Sequence, residues 1–546
     1  MSKFFSAIIL LGLSTMSNSF ASIITYNNIP DAVADSPYEV IADGVIVPIE
    51  KAGAYNGCYY ARFLFEDTAR VEVNIKSTAK VVAEVKPEKF RTNFNYTDDG
   101  FAFDVIQSGP RVITCYSGSR ELWNLIIFAQ KESDFKQSPR TDSNTIFISK
   151  YTTSDSTQTA NIQKALDECH SNGGGLVVFE PGVYITGPLN IKSNTNIYLS
   201  PGSIIKSSLN PDDYKIDFEG RELVADAPVS SCHALVNFIH SKNSSIFGAG
   251  VIEGQGHIIR NEHGLKAPAL QIVDSENIDI NDVILRNPAT WTFHILRSND
   301  IKIDNLKILT DWSVGNTDGI NPDSSSNISI SNYFGYCGDD AFAVKTTRYQ
   351  GSPKPSKNIH IKDSLVMTRK TAFKIGTETH ADISDVYIEN VEAVNSARGI
   401  AIWLNDGSNI SNINYNNLTL DLREYVGESM SGEPLRFAIG SRTGIGKLSD
   451  ITIDNMNVKS PGASVISGKS ESKITNFTIK NYTHEITPRG DRFVPWYLFN
   501  ISDTDNLIMD NINIKWLSFN QDLWLGFIKE ENTTNTQINN FNEENR

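Results

Sequence analysis

Two clusters of acidic residues lie close together in the sequence and have the composition of an acid/base site. Asp318 lies in the tetrapeptide Asn-Thr-Asp-Gly, and Asp339 and Asp340 follow Gly338, 21 and 22 residues further on. Between the clusters, the alternating segment NISIS is bounded by turn residues, which predicts a short strand. If the intervening chain forms one coil of a solenoid, the clusters stack on neighbouring coils and three carboxyl groups converge. Asp323, in a Pro-Asp-Ser sequence, is interpreted as a turn residue.

The elements that would position these acids form an imperfect repeat from Leu176 onward. Each unit is a short strand that follows Asn or Ser, as in SENIDINDVIL, SNDIKIDNLKIL and SSNISISNYF. A spacing of roughly 20 to 30 residues is typical of repeat architectures. The many Asn residues suit tight turns, because Asn tolerates the left-handed backbone conformation. We therefore predict an all-β fold with a right-handed parallel β-helix over residues 147–546. A β-propeller is less favoured because its blades need four strands in about 40 residues.

Residues 22–146 have a different pattern and predict a small β-sandwich ahead of the β-helix. Short alternating runs such as YARFLF at 60–65 and ARVEVNI at 69–75 are separated by turn residues. We expect an accessory domain, since no cluster of catalytic residue types stands out in it. Between the two domains, Ala160 to His170 has the apolar spacing of a helix, which we expect to cap the open end of the β-helix. The polar tail 530–546 is expected to be partly disordered.

Composition and the N-terminus limit the classes of function. Lys3, the apolar run Phe4 to Leu13 and the small residues around Ala21 predict a signal peptide over 1–21, and hence a secreted or periplasmic protein. A membrane anchor is the alternative, but the apolar run is too short to cross a bilayer. The net charge of −15 argues against nucleic acid or an anionic membrane as a partner, although a local basic cleft remains possible.

Five cysteines are present, and none has a zinc-type spacing. We expect no metal and no cofactor. Cys58 and Cys115 lie in the same early segment and can pair in an exported protein. At least one cysteine must stay unpaired in a monomer, and the oligomeric state stays open.

Several segments, in order, resemble the polygalacturonase family of glycoside hydrolases, family 28. They are LVVFEPGVYITGPLNIKSNTNIYLSPGS at 176–203, GAGVIEGQG at 248–256, LRNPATWTFH at 285–294, NTDG at 316–319 and GDD at 338–340. This resemblance covers most of residues 150–420. It implies a right-handed parallel β-helix that hydrolyses a polysaccharide or its oligosaccharides with inversion.

The resemblance also implies roles for the acids. Asp339 would be the general acid, and Asp318 and Asp340 would hold and activate the water. Independently of the family, protonating a glycosidic oxygen needs a carboxylic acid, and activating water needs a carboxylate. Crowded carboxylates raise one another's proton affinity, which keeps one of them protonated. Adjacent residues on a strand point to opposite faces, so we expect Gly338 to permit a bulge or bend that lets Asp339 and Asp340 share a site.

The positions that recognise substrate depart from the family. Thr371 and Lys374 stand where the family has the histidine of Gly-His-Gly and the serine of Ser-Ile-Gly. Ala401 and Trp403 replace the arginine and lysine that grip a galacturonate carboxylate. Plain polygalacturonate is therefore not the expected substrate. The substrate-binding candidates are Asn316, Lys345, Thr371, Lys374, Arg398 and Trp403.

Each of these candidates has an ordinary alternative. Trp403 can stack on a sugar face or simply pack as an aromatic. Lys345 and Lys374, with Arg348, Arg369 and Lys370, can bind an anionic group or pair with Glu378 and the acids. His294 is interpreted as a core or rim histidine rather than a catalyst.

The sequence thus predicts an exported inverting hydrolase of a galacturonan-related or other galactose-based glycan, with sulfated glycans included in that range. Dextranases and isopullulanases, in the same clan, join a β-sandwich to a β-helix, so a neutral glucan is the first alternative. A polysaccharide lyase on the same fold and a non-catalytic glycan-binding protein are the others.

Overall fold

The structure is a computed structural model that describes residues 23–26, 30–55, 57–76, 81–117, 120–135, 144–152, 157–215, 232–349, 351–425, 427–428, 431–488, 496–517 and 524–545. The predicted signal peptide lies outside these residues and stays a prediction. Within them, neither α-helix has the length and apolar composition that crossing a bilayer requires.

Two mainly antiparallel sheets come first in the chain and face each other. One sheet contains β1 (Ile24–Thr25), β4 (Ile49–Ala52), β5 (Cys58–Phe65), β7 (Val81–Lys86), β10 (Gly109–Ser117), β11 (Arg120–Glu121) and β12 (Leu125–Lys131). The other contains β2 (Tyr38–Ala42), β3 (Val45–Val47), β6 (Ala69–Ile75), β8 (Thr92–Tyr96) and β9 (Gly100–Val105). Alternate residues of both sheets, among them Val71, Phe63 and Ile127, bury a shared core. This arrangement agrees with the predicted sandwich.

The rest of the chain winds into a parallel β-helix, as predicted. One face, which we call the site sheet, contains β16 (Leu189–Asn190), β19 (Val236–Ile239), β22 (Leu270–Val273), β25 (Phe293–Leu296), β28 (Ile320–Asp323), β31 (Phe342–Thr346), β34 (Thr371–Thr379), β36 (Arg398–Asp406), β38 (Glu433–Gly444), β40 (Ser464–Ser467), β42 (Trp496–Ser502) and β44 (Trp524–Glu531).

The other two faces join into one bent sheet, in which successive coils also pair in parallel. Its strands are β13 (Thr145–Phe147), β14 (Gly175–Phe179), β15 (Gly182–Thr186), β17 (Thr195–Leu199), β18 (Ser203–Ser207), β20 (Lys242–Phe247), β21 (Val251–Glu253), β23 (Glu276–Asn281), β24 (Ile284–Arg286), β26 (Asn299–Asp304), β27 (Lys307–Leu309), β29 (Ser326–Ser331), β30 (Phe334–Cys337), β32 (Ser356–Lys362), β33 (Leu365–Thr368), β35 (Ile383–Ser396), β37 (Asn409–Leu422), β39 (Lys447–Ser460), β41 (Ile474–Ile486), β43 (Thr504–Trp516) and β45 (Gln537–Asn545). Inward side chains of all three faces form one continuous apolar core.

Asparagine ladders hold the bends of this sheet. Asn390, Asn417 and Asn455 have φ angles of 51°, 55° and 56°, in the left-handed region that Asn tolerates better than most residues. The Asn417 amide donates to Asn390 Oδ1 at 2.9 Å, and the Asn455 amide donates to Asn417 Oδ1 at 3.1 Å. The interpretation of the Asn-rich repeat is therefore confirmed, and each rung fixes the next coil in register.

The sequence predicts the first end of the β-helix correctly, but it misses a short helix within the fold and the structure of the last strands. Helix α1 (Thr159–Ser171) forms where the apolar spacing predicts it and buries Ile162, Leu166 and Cys169 against the first coils. A second, short helix, α2 (Gly256–Asn261), was not predicted. The expectation of a partly disordered tail is wrong, because β44 and β45 extend both sheets and Asn540 bonds to Asp510 at 2.9 Å.

The sandwich docks on the bent sheet through an apolar and a charged contact. Phe128 meets Phe334 edge to face, with ring centroids 5.2 Å apart, inside a buried cluster drawn from both parts. Arg286 is buried, donates to the Tyr60 hydroxyl at 3.0 Å and pairs with Glu253. This interface holds the sandwich beside the coils that carry the acids. The domain boundaries 22–146 and 147–546 stay predictions.

The suggested disulfide between Cys58 and Cys115 is absent, and both thiols are buried and reduced. Cys58 belongs to the apolar cluster shared with the β-helix, whereas Cys115 belongs to the core between the two sandwich sheets. They therefore lie on opposite faces of one sheet, which no disulfide can bridge.

Candidate active site

The two acid clusters lie at the start of neighbouring strands of the site sheet. Asp318 precedes β28 and Asp340 precedes β31, and these strands pair in parallel with Ile320 opposite Phe342. Asp318 and Asp340 therefore occupy equivalent positions on adjacent coils. The Gly319 N–H donates to the Asp340 carbonyl oxygen at 2.9 Å. The structure thus brings the two clusters together, as their spacing predicts.

The kink expected at Gly338 is present as a bend, not as a bulge within a strand. Asp339 and Asp340 lie in the turn between β30 and β31, so the alternation of strand faces does not separate them. A Cβ on Gly338 would lie 2.5 Å from Thr317 Oγ1 and 3.2 Å from the Trp312 Cα. Glycine is required here because the neighbouring coil packs against the turn, not because the turn forms a bulge.

Strand alternation places the candidate lysines on the outer face of the site sheet. Phe342 and Phe373 point into the core, so their neighbours at alternate positions point outward. Lys345 in β31 and Lys374 in β34 take such outward positions, directly beside the acids. The regular alternation of these strands, rather than any local motif, aims both ammonium groups at the acidic clusters.

Asp340 is held as a buried carboxylate by β34. Lys374 Nζ donates to Asp340 Oδ2 at 2.6 Å, and the Thr371 N–H donates to Oδ1 at 3.1 Å. Burial opposes the charge, but the Lys374 and Lys345 ammonium groups outweigh it and lower the pKa of Asp340 to about 2. This carboxyl is therefore ionised at any physiological pH.

The other two acids have the opposite shift. Burial, and then the negative charge of Asp340, raise the pKa of Asp339 to about 6. Burial and the neighbouring Asp339 charge raise the pKa of Asp318 well above its usual range. The site thus contains one ionised carboxylate and two carboxyl groups that tend to hold protons, which is the separation that acid/base chemistry needs.

Lys345 connects the acids to a further carboxylate. Its Nζ lies 3.2 Å from Glu378 Oε2 and 3.8 Å from Asp318 Oδ2. It also lies 4.6 Å from the centroid of the Trp291 ring. Burial disfavours the charge of Glu378, yet Lys345 lowers the pKa of Glu378 to about 2. Lys345 is therefore a paired cation within the site and not a free one.

Thr371, Arg398 and Trp403 form the next layer above Asp340. Arg398 donates to the Thr371 hydroxyl at 2.9 Å and lies 3.6 Å from Glu433. The half-buried Trp403 ring packs against two cations, with Lys374 Nζ 4.8 Å and the Arg398 guanidinium carbon 5.5 Å from its centroid. The structure therefore leaves both roles open to Trp403: stacking on a sugar face, or packing as an ordinary aromatic side chain.

Asn316 lies on the other side of the acids and is held by a residue that sequence reasoning missed. Arg260, from the short helix α2, donates to Asn316 Oδ1 at 3.0 Å and to the Ala289 carbonyl at 3.1 Å. Burial lowers the pKa of Arg260, and the negative charge of Asp339 opposes that shift. The helix is too short for a periodic signal, so only the presence of an arginine between two family-like segments could have suggested it.

Two further residues were missed on the outer face of the site sheet. Trp291, in the segment ATWTF, is register-equivalent to Asp318 one coil earlier. Arg436 in β38 lies opposite Ala401, which in turn lies opposite Lys374. The small Ala401 side chain therefore stands between two cations on successive coils. Arg436 is partly exposed and bonds to Glu433 at 2.9 Å.

The remaining candidates are structural or paired. His294 is buried, as expected, and lies 3.0 Å from Asp323 and 3.1 Å from the Gln271 amide. Asp323 is not a turn residue, because it ends β28, is fully buried and also accepts bonds from Thr347. Lys370 pairs with Glu428, in line with the alternative given for it.

The described residues contain no group of three or more His, Cys, Asp or Glu side chains arranged to hold a metal ion. A proton donor and a carboxylate beside an open sheet face are the parts of a glycoside hydrolase site.

The comparisons with known proteins agree with this class. Residues 198–494, more than half of the chain, match the family described as glycosyl hydrolases family 28, and the chain belongs to that family. The endo-polygalacturonase of Pectobacterium carotovorum is 26% identical over 405 residues, which cover 69% of this chain and 95% of that protein.

Solved structures support the fold. The family 28 exopolygalacturonase of Yersinia enterocolitica superposes with a TM-score of 0.60 and 16% identity, covering 90% of this chain and 98% of that one. An exopolygalacturonase from Thermotoga maritima gives a TM-score of 0.56 and 19% identity, covering 70% and 94%. The protein is therefore a glycoside hydrolase on a parallel β-helix.

Proposed function

We propose that this chain is an exported, inverting hydrolase that cleaves galacturonan or a closely related acidic galactan. The sequence argued against plain polygalacturonate, but we include it because Lys374 and Arg436 lie on either side of Ala401. The observation that carries the proposal is the split in proton affinity between neighbouring acids. Asp340 is ionised beside Lys374, whereas the pKa of Asp339 is raised to about 6. The names of relatives such as the endo-polygalacturonase of Pectobacterium carotovorum support the substrate class.

In the proposed reaction, Asp339 is the general acid and gives its proton to the leaving glycosidic oxygen. Asp340 accepts a proton from the attacking water on the opposite face of the sugar, and Asp318 positions that water. Because the Asp339 charge is one of the forces that raise the pKa of Asp318, protonation of Asp339 favours ionisation of Asp318. A direct attack by water inverts the anomeric carbon.

We assign substrate binding to Asn316, Lys345, Thr371, Lys374, Arg398 and Trp403. Ala401 and Trp403 carry no cation where the family grips a carboxylate. Lys374 and Arg436 flank Ala401, however, and strands on successive coils are about 4.8 Å apart. The space over Ala401, between the side chains of Lys374 and Arg436, suits a sugar carboxylate. It replaces the family's carboxylate-binding pair with one at a shifted position on the site sheet.

A neutral glucan is the second candidate, and one observation favours it. Lys374 is already paired with Asp340, and Lys345 with Glu378, so both cations nearest the acids are neutralised by the protein itself. A substrate without a carboxylate at the cleaved bond would need no further positive charge there. The two candidates therefore differ in whether Arg436 contributes to binding.

Export and domain roles complete the proposal. The N-terminal segment around Phe4 to Leu13 has the composition of a signal peptide, which places the mature enzyme in the periplasm or outside the cell. The sandwich, residues 22–146, supports the catalytic β-helix, residues 147–546.

The test is a glycan panel with product analysis. Wild-type protein and Asp339→Asn are incubated with polygalacturonate, partly esterified galacturonan, sulfated galactan, neutral galactan and dextran, and reducing ends are measured. We expect release from galacturonan substrates by the wild type alone. Release from dextran but not from galacturonan would select the neutral-glucan candidate. Products that absorb as unsaturated uronates would identify a lyase, and equal activity of Asp339→Asn would refute the assigned acid.

A further inference from the structure

A cavity of about 450 Å³ lies between the sandwich and the β-helix, on the side of the acid-bearing turn away from the site sheet. Its volume is in the range of ordinary ligand sites. Aromatic side chains of both parts line it, with one basic and one acidic residue: Tyr55, Glu121 and Trp123 from the sandwich, and Trp312, Arg369 and Tyr425 from the β-helix.

The cavity wall and the acid-bearing turn share the same backbone. The Trp312 ring stacks on the Tyr336 ring, with centroids 4.5 Å apart and an angle of 16° between the ring planes. The Trp312 Cα packs closely against Gly338, which directly precedes the acids. The Thr368 hydroxyl donates to the Asp339 carbonyl, and Arg369 is the next residue. The cavity wall is therefore continuous with the backbone that carries the acids.

The sandwich part of the wall is held in place by the β-helix. Asp311, the neighbour of Trp312, accepts the backbone N–H groups of Ala54 and Tyr55 at 2.5 and 3.1 Å. The Tyr55 side chain is nonetheless 69% exposed. A fixed backbone with an open aromatic ring is a platform that binds with little loss of conformational freedom.

The chemistry of the lining fits an acidic sugar. Tyr and Trp rings offer apolar faces with a polar edge, which suits the faces of a pyranose. Glu121, the carboxylate that lines the cavity, pairs with Arg423 at 2.8 Å, and Lys370 pairs with Glu428. Arg369 has only a longer contact of 3.8 Å to Glu428. A weakly paired guanidinium beside stacking rings attracts a carboxylate-bearing sugar.

We propose that this cavity is a remote subsite that binds sugar residues of the acidic glycan beyond the cleaved bond. The sandwich is then part of the substrate site and more than a support. This inference rests on the proposed function for the identity of the sugar.

The test compares oligogalacturonides of increasing length. Tyr55→Ala and Arg369→Gln are expected to lower kcat/KM for an octamer about tenfold more than for a trimer, since only the longer chain reaches the cavity. Tyr96→Ala is the matched control, because Tyr96 is a 51% exposed tyrosine on β8, in the sandwich sheet that does not line the cavity. An equal loss at both lengths, or no loss, would overturn the proposal.

A binding measurement separates this inference from the proposed function. The affinity of an oligogalacturonide octamer is measured by calorimetry for Asp339→Asn and for Asp339→Asn with Tyr55→Ala, so that turnover plays no part. We expect about tenfold weaker binding in the double variant. An unchanged Kd would refute the subsite even if the wild type hydrolyses galacturonan. A weakened Kd without wild-type hydrolysis would uphold the subsite and refute the reaction.

Discussion

Lys374 Nζ lies 2.6 Å from Asp340 Oδ2, in a buried pair that joins two coils of the β-helix. The pair explains how two adjacent acids differ in charge. The ammonium group stabilises the Asp340 carboxylate, and that carboxylate in turn raises the proton affinity of Asp339. Lys374 is therefore the residue that separates an acid from a base in this site.

Replacing Lys374 with methionine tests that role. Lys374→Met leaves a buried carboxylate without its cation, so the pKa of Asp340 should rise. We expect kcat to fall about a hundredfold and the acidic limb of its pH profile to move upward. Lys374→Arg keeps the positive charge, so the acidic limb of the kcat pH profile should stay near its wild-type position. A change in KM alone, with the profile unmoved, would make Lys374 a substrate-binding residue only.

The pH dependence of the wild type follows from the same pair. Asp340 must be ionised, and its pKa is lowered to about 2, whereas Asp339 must be protonated, and its pKa is raised to about 6. We therefore expect kcat/KM to be highest from about pH 3 to 5 and to fall about tenfold per pH unit well above pH 6. Initial rates in overlapping buffers of constant ionic strength check this. A maximum at or above pH 8 would contradict the assignment of Asp339.

Stability should depend on pH through Asp339 as well. Its pKa is about 6 in the folded protein against 3.8 for the unperturbed group, so between pH 4 and 6 only the unfolded chain releases the proton. The free energy of unfolding of the wild type therefore falls as the pH rises through that window. Asp339→Asn lacks this loss.

The difference in unfolding free energy between Asp339→Asn and wild type should grow by about 2 kcal/mol from pH 4 to pH 7. Urea unfolding at several pH values measures it. Asp98→Asn, at an exposed turn of the sandwich, is the control and should give a constant difference. A difference that shrinks with rising pH would show that the folded protein favours the ionised form of Asp339.

Arg436 decides between the two substrate classes. If it binds a sugar carboxylate beside Ala401, Arg436→Gln should raise KM for polygalacturonate about five- to tenfold and change kcat little. Because Arg436 is partly exposed, the variant should stay folded, and a thermal melt checks that. Arg70→Gln is the comparison, because Arg70 is a partly exposed arginine of the sandwich that pairs there with Asp104 at 2.8 Å. Equal KM values for Arg436→Gln and wild type would favour a neutral substrate.

The sequence predicts well what depends on spacing. A separation of 21 and 22 residues places Asp318 beside Asp340, since one coil of this β-helix has that length between β28 and β31. The Asn-rich units likewise predict the turns at Asn390 and Asn417, because local backbone preference decides them.

Contacts that depend on strand register and packing cannot be predicted from residue spacing. Lys374 is conspicuous within the apolar run AFKIG, but its pairing with Asp340 across 34 residues follows only from the alignment of β31 with β34. The bend at Gly338 was predicted, but the close approach of Trp312 was not, because it comes from a neighbouring coil. Arg436 follows an irregular insertion, so no repeat length predicts its place beside Ala401.

The anomeric form of the first product tests the central claim most directly. Proton NMR follows the hydrolysis of an α-linked oligogalacturonide by the wild type, with Asp339→Asn as the inactive reference. Direct attack of a water held by Asp318 and Asp340 should release the β-anomer first, with the α-anomer appearing only by mutarotation. Initial release of the α-anomer, or of an unsaturated uronate, would contradict the account.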